Sequence, residues 1–144
     1  MFGVKKYKVF MRALLCFILI LGVFAVSGCT LLSEEKIKLR DLDFTVLGEE
    51  MIPEQLKTIL EEKKASPFQI TYTDRQNLYI CIGYGEQETG GYSIAVNELY
   101  LTDTNICVST SLLGPDAAEK DNKTPSYPFI VIKTECLEQT VIYE

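Results

Sequence analysis

The stretch LYICIGY (residues 78–84) decides the fold class of this chain. Leu78, Ile80 and Ile82 alternate with Tyr79 and Cys81, a period of two that is typical of a β-strand. Further segments of the same kind surround it, separated by turn residues. Strands are predicted at residues 44–47, 68–73, 92–102, 106–113, 130–134 and 140–143.

One segment has helical rather than strand periodicity. Ile52, Leu56, Ile59 and Leu60 form one apolar stripe, Pro53 suits a helix start, and a second proline stops the helix at residue 67. The sequence therefore predicts a mainly β fold. We expect a small antiparallel β-sandwich or barrel-like domain with one packed helix, with an α+β fold as the alternative.

The amino terminus has the pattern of an export signal. A basic patch precedes an uncharged, mostly apolar run of 14 residues (13–26). A membrane-spanning helix needs about 20 such residues, so the run is too short to span and has the length of a signal-peptide core. Val26-Ser27-Gly28-Cys29 follows and resembles the lipobox of bacterial lipoproteins. We expect cleavage after residue 28 and a lipid on Cys29, with ordinary signal cleavage at Ala25-Val26-Ser27 as the alternative.

These observations predict that the chain has three parts. Residues 1–28 are a lipoprotein signal peptide, and residues 29–43 carry the lipid and a charged tether that could equally be a short exposed helix. Residues 44–144 form a single globular domain. We expect the protein at the extracytoplasmic face of the bacterial cell membrane, held there by its N-terminal lipid (palmitate is the label that would detect it).

The net negative charge of the chain disfavours anionic partners. Four of the 14 basic residues lie in the signal segment, so the remaining 116 residues carry 10 basic against 20 acidic side chains, a formal charge of −10. Nucleic acid and anionic lipid headgroups repel such a chain. Membrane attachment must then come from acyl chains, at least two of which are needed for stable anchoring.

No catalytic, metal or cofactor site is predicted. The chain has no histidine, which excludes Ser-His and Cys-His catalysis and the common zinc patterns. Cys81, Cys107 and Cys136 permit at most one internal disulfide, and we expect all three to be buried structural residues. The acidic loop 116–121 lacks the glycine and terminal glutamate of a calcium-binding loop. We therefore expect a protein that is not an enzyme.

The loop Gly85 to Ile94 is the most distinctive segment. Gly90 and Gly91 directly precede a strand, where glycine allows positive φ and close backbone approach. The alternative is that these glycines serve only a sharp connection between strands.

The chain resembles the C-terminal domain of PrcB-type protease-complex subunits over about residues 67–143. The resemblance lies in this loop and the strands on either side of it, in Leu113-Gly114-Pro115, and in the later segment Thr124 to Ile132. The resemblance implies a lipoprotein subunit that associates with an exported, subtilisin-like protease and stabilises or regulates it. A fainter similarity is to chagasin-type cysteine-protease inhibitors, through Thr89-Gly90-Gly91-Tyr92, which has one glycine more than their Thr-Gly-aromatic loop, and through Tyr127-Pro128. The partner-binding residues predicted on this basis are Gln87, Glu88, Thr89, Gly90, Gly91, Tyr92, Ser126, Tyr127 and Pro128.

Two functions are therefore predicted. The first is a non-catalytic, membrane-anchored module that binds an exported protease through these two loops. The alternative is a small-ligand or cell-envelope-binding accessory lipoprotein. A domain of this size can hold a ligand only in a small barrel, and the apolar faces of the predicted strands are needed to form the core. This favours the protease-binding function.

Overall fold

The computed structural model describes residues 37–116 and 123–144, together with Lys8 and Met11. The chain divides into two units, Met1–Glu35 and Lys36–Glu144. The predicted signal peptide, the predicted lipid-attachment residue Cys29 and the first part of the predicted tether lie outside the described residues, apart from Lys8 and Met11, which are helical and exposed. Within the described part of the chain, no helix is both long and apolar enough to cross a membrane.

The second unit contains eight described strands and one α-helix. A short 3₁₀ turn, Glu49–Met51, precedes the helix. In chain order the elements are β1 (Lys38–Asp41), β2 (Phe44–Val46), α1 (Glu54–Lys63), β3 (Pro67–Thr73), β4 (Asn77–Tyr84), β5 (Ser93–Thr102), β6 (Asn105–Leu113), β7 (Phe129–Glu135) and β8 (Thr140–Tyr143).

The strands form two four-stranded sheets. The first sheet has the order β1-β5-β6-β8 and the second has the order β2-β7-β4-β3. Every neighbouring pair is antiparallel except β6 and β8, which are parallel. The predicted mainly β, antiparallel-rich sandwich with one helix is confirmed, and the described strands do not close into a barrel.

The core between the sheets follows the alternation in β4. Leu78, Ile80 and Ile82 belong to one buried cluster with residues of β5, β6 and β7, which come from both sheets. Ile80 is completely buried. Because one residue in two points to this side, β4 gives three large aliphatic side chains to the contact between the sheets.

The helix covers the other face of the second sheet. Leu56 and Leu60 of α1 are buried in a second cluster with Tyr79 and Cys81 of β4 and Val131 of β7. Leu56 and Leu60 of the predicted stripe thus form the packed face of the helix, and Ile52 is buried in the same cluster just before the helix begins. Both faces of β4 and β7 are covered, which gives three layers in the order sheet, sheet, helix.

The start of the domain differs from the prediction. β1 lies within residues 29–43, the range assigned to the tether, and pairs with β5 in the first sheet. Its four residues are all exposed and three are charged, so hydrophobic periodicity gave no signal for a strand there. Leu42, which follows β1, is buried in the core between the sheets.

The three cysteines do not share one environment. Cys81 and Cys107 are buried, as predicted, and both are free thiols. Cys136 is a free thiol but is exposed, so the prediction that it is buried was wrong. It lies one residue beyond the end of β7, where the chain has left the sheet.

Candidate functional site

Four strand ends meet where the two predicted binding loops lie. β4 and β7 are antiparallel, with Gly83 opposite Phe129, so the end of one lies beside the start of the other. β5 and β6 are antiparallel as well, with Ser93 opposite Leu113. The loop after β4 and the segment before β7 are thereby brought together, although they are about forty residues apart in the sequence.

Two glycines shape the loop between β4 and β5. Gly85 has φ of 73° and Gly91 has φ of 80°, both in the left-handed region that side chains disfavour. A Cβ on Gly85 would also lie 2.8 Å from Cδ of Pro67. The positive φ expected in the Gly-Gly pair is present at Gly91, and among the described glycines Gly90 does not have it.

Backbone hydrogen bonds join the two loops. The amide of Gln87 donates to the carbonyl of Ser126 at 2.8 Å, and the amide of Ser126 donates back to the carbonyl of Gln87 at 3.1 Å. Next to this bridge, the amide of Tyr84 donates to the carbonyl of Pro128 at 3.0 Å. The loops thus continue the pairing of β4 with β7 beyond the end of the sheet.

Side chains add two further connections. The hydroxyl of Ser126 donates to the carbonyl of Thr89 at 2.6 Å. The hydroxyl of Tyr127 donates to a carboxylate oxygen of Glu86 at 3.0 Å, and this hydrogen bond raises the pKa of Tyr127. Two residues of the later segment therefore hold two residues of the earlier loop.

An open cleft of about 700 Å³ lies against the first loop. Its walls combine two carboxylates with one aromatic ring, and its far side follows the end of β6. The lining residues are Glu86, Gln87, Glu88, Thr89, Tyr92, Gly114 and Pro115. We call this arrangement, residues 86–92 with 126–128 and the cleft, the two-loop site.

The predicted binding residues differ in exposure. Glu88 is exposed at the tip of the loop, whereas Gln87 and Thr89 are half-buried. The side chain of Gln87 donates to the carbonyl of Tyr84 at 3.1 Å. Of these three predicted binding residues, Gln87 and Thr89 therefore take part in the loop framework, and Glu88 has an exposed side chain.

Several residues of the site were missed from the sequence. Glu86 was not among the predicted residues, yet it binds the Tyr127 hydroxyl and lines the cleft. The Nζ of Lys64, at the end of α1, lies 5.8 Å from the centre of the Tyr127 ring, within the range of a cation–π contact. Gly114 and Pro115 also line the cleft, and the sequence could have pointed to them, because they belong to the segments that resemble the PrcB family.

The described residues contain no group of three or more Cys, Asp or Glu side chains arranged to hold a metal ion. Burial raises the pKa of the Cys81 thiol to about 12, so its reactive thiolate form is scarce at neutral pH. Carboxylates, hydroxyl groups, peptide groups and two tyrosine rings remain at the two-loop site. Such a set can form hydrogen bonds and stacking contacts with another protein.

Comparison with known proteins gives one finding. A family model described as PrcB C-terminal matches residues 78–135. No curated protein and no solved structure matches the chain. The matched segment is shorter than the predicted 67–143, and it runs from β4 to the end of β7. It therefore includes both loops of the two-loop site. Residues 78–135 carry the PrcB C-terminal signature, and the family resemblance predicted from the two loop segments is confirmed.

Proposed function

We propose that this protein is a non-catalytic subunit that binds an exported, subtilisin-like protease through the two-loop site, and that a lipid on Cys29 holds it at the extracytoplasmic face of the membrane. The match to the PrcB C-terminal family supports association with a protease complex. The lipobox-like Val26-Ser27-Gly28-Cys29 supports the anchor.

The observation that carries the proposal is the joining of the two predicted loops. The Gln87–Ser126 bridge and the Ser126–Thr89 hydrogen bond hold them as one surface at the end of the sandwich. Loops on a rigid sheet are where binding surfaces concentrate, because the scaffold has already restricted their conformations. The family match covers both loops.

The chemistry of the surface indicates how a partner would bind. Glu88 is exposed, Tyr92 is half-buried, and both line the cleft with Glu86. Tyrosine gives a large contact area with few rotatable bonds, and the two carboxylates favour basic or hydrogen-bond-donating groups. A protease loop with basic or hydrogen-bond-donating side chains would be complementary to the carboxylates of this cleft.

The test uses two variants with the same charge change. Glu88→Lys alters the tip of the two-loop site. Asp103→Lys alters an exposed residue of the β5–β6 turn, at the other end of that hairpin. Tagged full-length protein is recovered from detergent-solubilised envelope, and serine proteases in the eluate are labelled with a fluorophosphonate probe.

We expect a labelled protease with the wild type and with Asp103→Lys, and a loss of at least about tenfold with Glu88→Lys. Equal recovery with both variants would place the interface elsewhere. A bound small molecule with no protease in any eluate would favour the alternative of a ligand-binding accessory lipoprotein.

A further inference from the structure

Each sheet ends in two edge strands, and three of the four are protected against pairing with another chain. β1 is four residues long and has three charged side chains, Lys38, Arg40 and Asp41. β2 has three residues and β8 has four. Charge and shortness are the usual ways in which proteins prevent an exposed strand from pairing with another chain.

The fourth edge strand, β3, has neither kind of protection. It has seven residues, PFQITYT, and none is charged. It pairs with β4 through seven consecutive positions without a bulge. Its only unfavourable residue for pairing is Pro67 at its first position, where a proline costs at most one hydrogen bond at the end of a ladder. Among the described strands, none pairs with its outer edge.

The side chains of β3 form two different rows. Gln69, Thr71 and Thr73 are exposed on one face, whereas Phe68, Ile70 and Tyr72 are half-buried on the face that carries α1. Tyr72 is held there by a hydrogen bond from its hydroxyl to Oε1 of Gln55 in α1, at 3.0 Å. The edge is therefore a regularly paired strand, and its Tyr72 side chain is held in place.

The side-chain pattern of β3 is complementary to that of a second β3 strand in the antiparallel orientation. If two copies pair antiparallel with full overlap, Ile70 lies on the two-fold axis. Phe68 of one copy then faces Tyr72 of the other, and Gln69 faces Thr71. Aromatic pairs and pairs of hydrogen-bonding side chains are favourable across antiparallel strands. The chain is acidic, with a net charge of −6, but β3 itself is uncharged, so this pairing places no like charges of the two β3 strands opposite each other.

We propose that β3 is a dimerisation edge, at which a second copy of this chain adds its own β3 and joins the two helix-covered sheets into one eight-stranded sheet. The contact is isologous, as a two-fold dimer requires. β3 precedes the family-matched segment 78–135, so the proposal does not depend on the protease-binding function.

The first test measures the mass of the full-length protein by sedimentation equilibrium in density-matched detergent. We expect a dimer for the wild type. Thr71→Lys, which places a charge on the pairing edge, should weaken the dimer at least about tenfold. Thr45→Lys, the same change on the exposed edge strand β2, should leave the dimer unchanged. A monomeric wild type, or a dimer that tolerates Thr71→Lys, would overturn the proposal.

The second test determines the register. Two full-length chains are made in a background in which Cys16, Cys29 and Cys136 are serine. One carries Gln69→Cys and the other carries Thr71→Cys. We expect oxidation of the mixture to give a disulfide-linked heterodimer, because these positions face each other in the antiparallel register. Efficient linkage of either chain only to itself would contradict this register and the proposed two-fold contact.

Discussion

The hydroxyl of Ser126 lies 2.6 Å from the carbonyl oxygen of Thr89, and this hydrogen bond ties together two loops that are 37 residues apart in the sequence. Its effect is local, because β4 and β7 already hold the loops near each other. What the hydroxyl adds is a fixed position for the chain just before Gly90 and Gly91.

Ser126→Ala should cost about 1 kcal/mol in the free energy of unfolding, the ordinary net value of one intramolecular hydrogen bond. Ser93→Ala, an exposed serine at the start of β5, is the matched control and should stay within about 0.5 kcal/mol of the wild type. Urea denaturation measures both. Equal effects of the two substitutions would mean that the Ser126–Thr89 contact contributes nothing to stability.

Gly91→Ala should destabilise the protein by about 1–2 kcal/mol, because an L side chain at φ of 80° is sterically disfavoured. The neighbouring Gly90→Ala should cost less, since the φ of Gly90 is not positive. Thermal unfolding of the two variants measures the difference. If Gly90→Ala proved the more damaging change, the positive φ would not be the reason for the second glycine.

The turn between β3 and β4 predicts a pH dependence of stability. The amide of Gln76, the hydroxyl of Tyr79 and the amide of Asn77 all donate to the Asp74 carboxylate, and they hold its pKa well below the usual 3.8. A lowered folded-state pKa stabilises the fold fully above pH 3.8, and this contribution is lost as pH falls through the folded-state pKa.

Asp74→Asn removes the charge and keeps an acceptor oxygen. We therefore expect the variant to be less stable than the wild type at pH 7, by a difference that shrinks below pH 3.8. Urea denaturation across this range measures the difference. A constant difference at all pH values would show that the charge of Asp74 is not responsible.

The two kinds of cysteine should differ in reactivity. With iodoacetamide at pH 8 in the folded protein, Cys136 should react rapidly because it is exposed. Cys81 should react far more slowly, since it is buried and its thiol pKa is raised to about 12. Peptide mass mapping measures each site, and labelling in urea, where both should react, is the control. Fast labelling of Cys81 in the folded protein would contradict its place in the core.

The same difference should appear in stability. Cys81→Ala removes a buried side chain from the cluster between α1 and the sheet, and should cost about 1 kcal/mol. Cys136→Ala should cost less than about 0.5 kcal/mol, as is usual for surface positions. Denaturant unfolding of the single variants compares them. A larger loss with Cys136→Ala would indicate a structural role that its exposure does not predict.

The sequence by itself determined the class of the fold and the content of its layers. The alternation in LYICIGY (78–84) was sufficient to separate the β4 residues into two faces, because side-chain direction on a strand repeats every two residues. Which face meets the other sheet and which meets the helix came from the structure. The stripe containing Leu56 and Leu60 identified the helix in the same way. The family resemblance came from the sequence as well, through short segments in the two loops.

Tertiary structure decided the features that leave no hydrophobic periodicity in the sequence. β1 was missed because its exposed, mostly charged residues form an edge through backbone hydrogen bonds, which leave no hydrophobic pattern. The parallel pairing of β8 with β6 depends on how the chain crosses between the sheets. The two-loop site exists because β4 pairs with β7, which makes residues 87 and 126 neighbours. Because of that pairing, Gln87 and Thr89 form hydrogen bonds with Ser126, while Glu88 stays exposed. The sequence could not show this, because long-range packing rather than local sequence determines which strands pair.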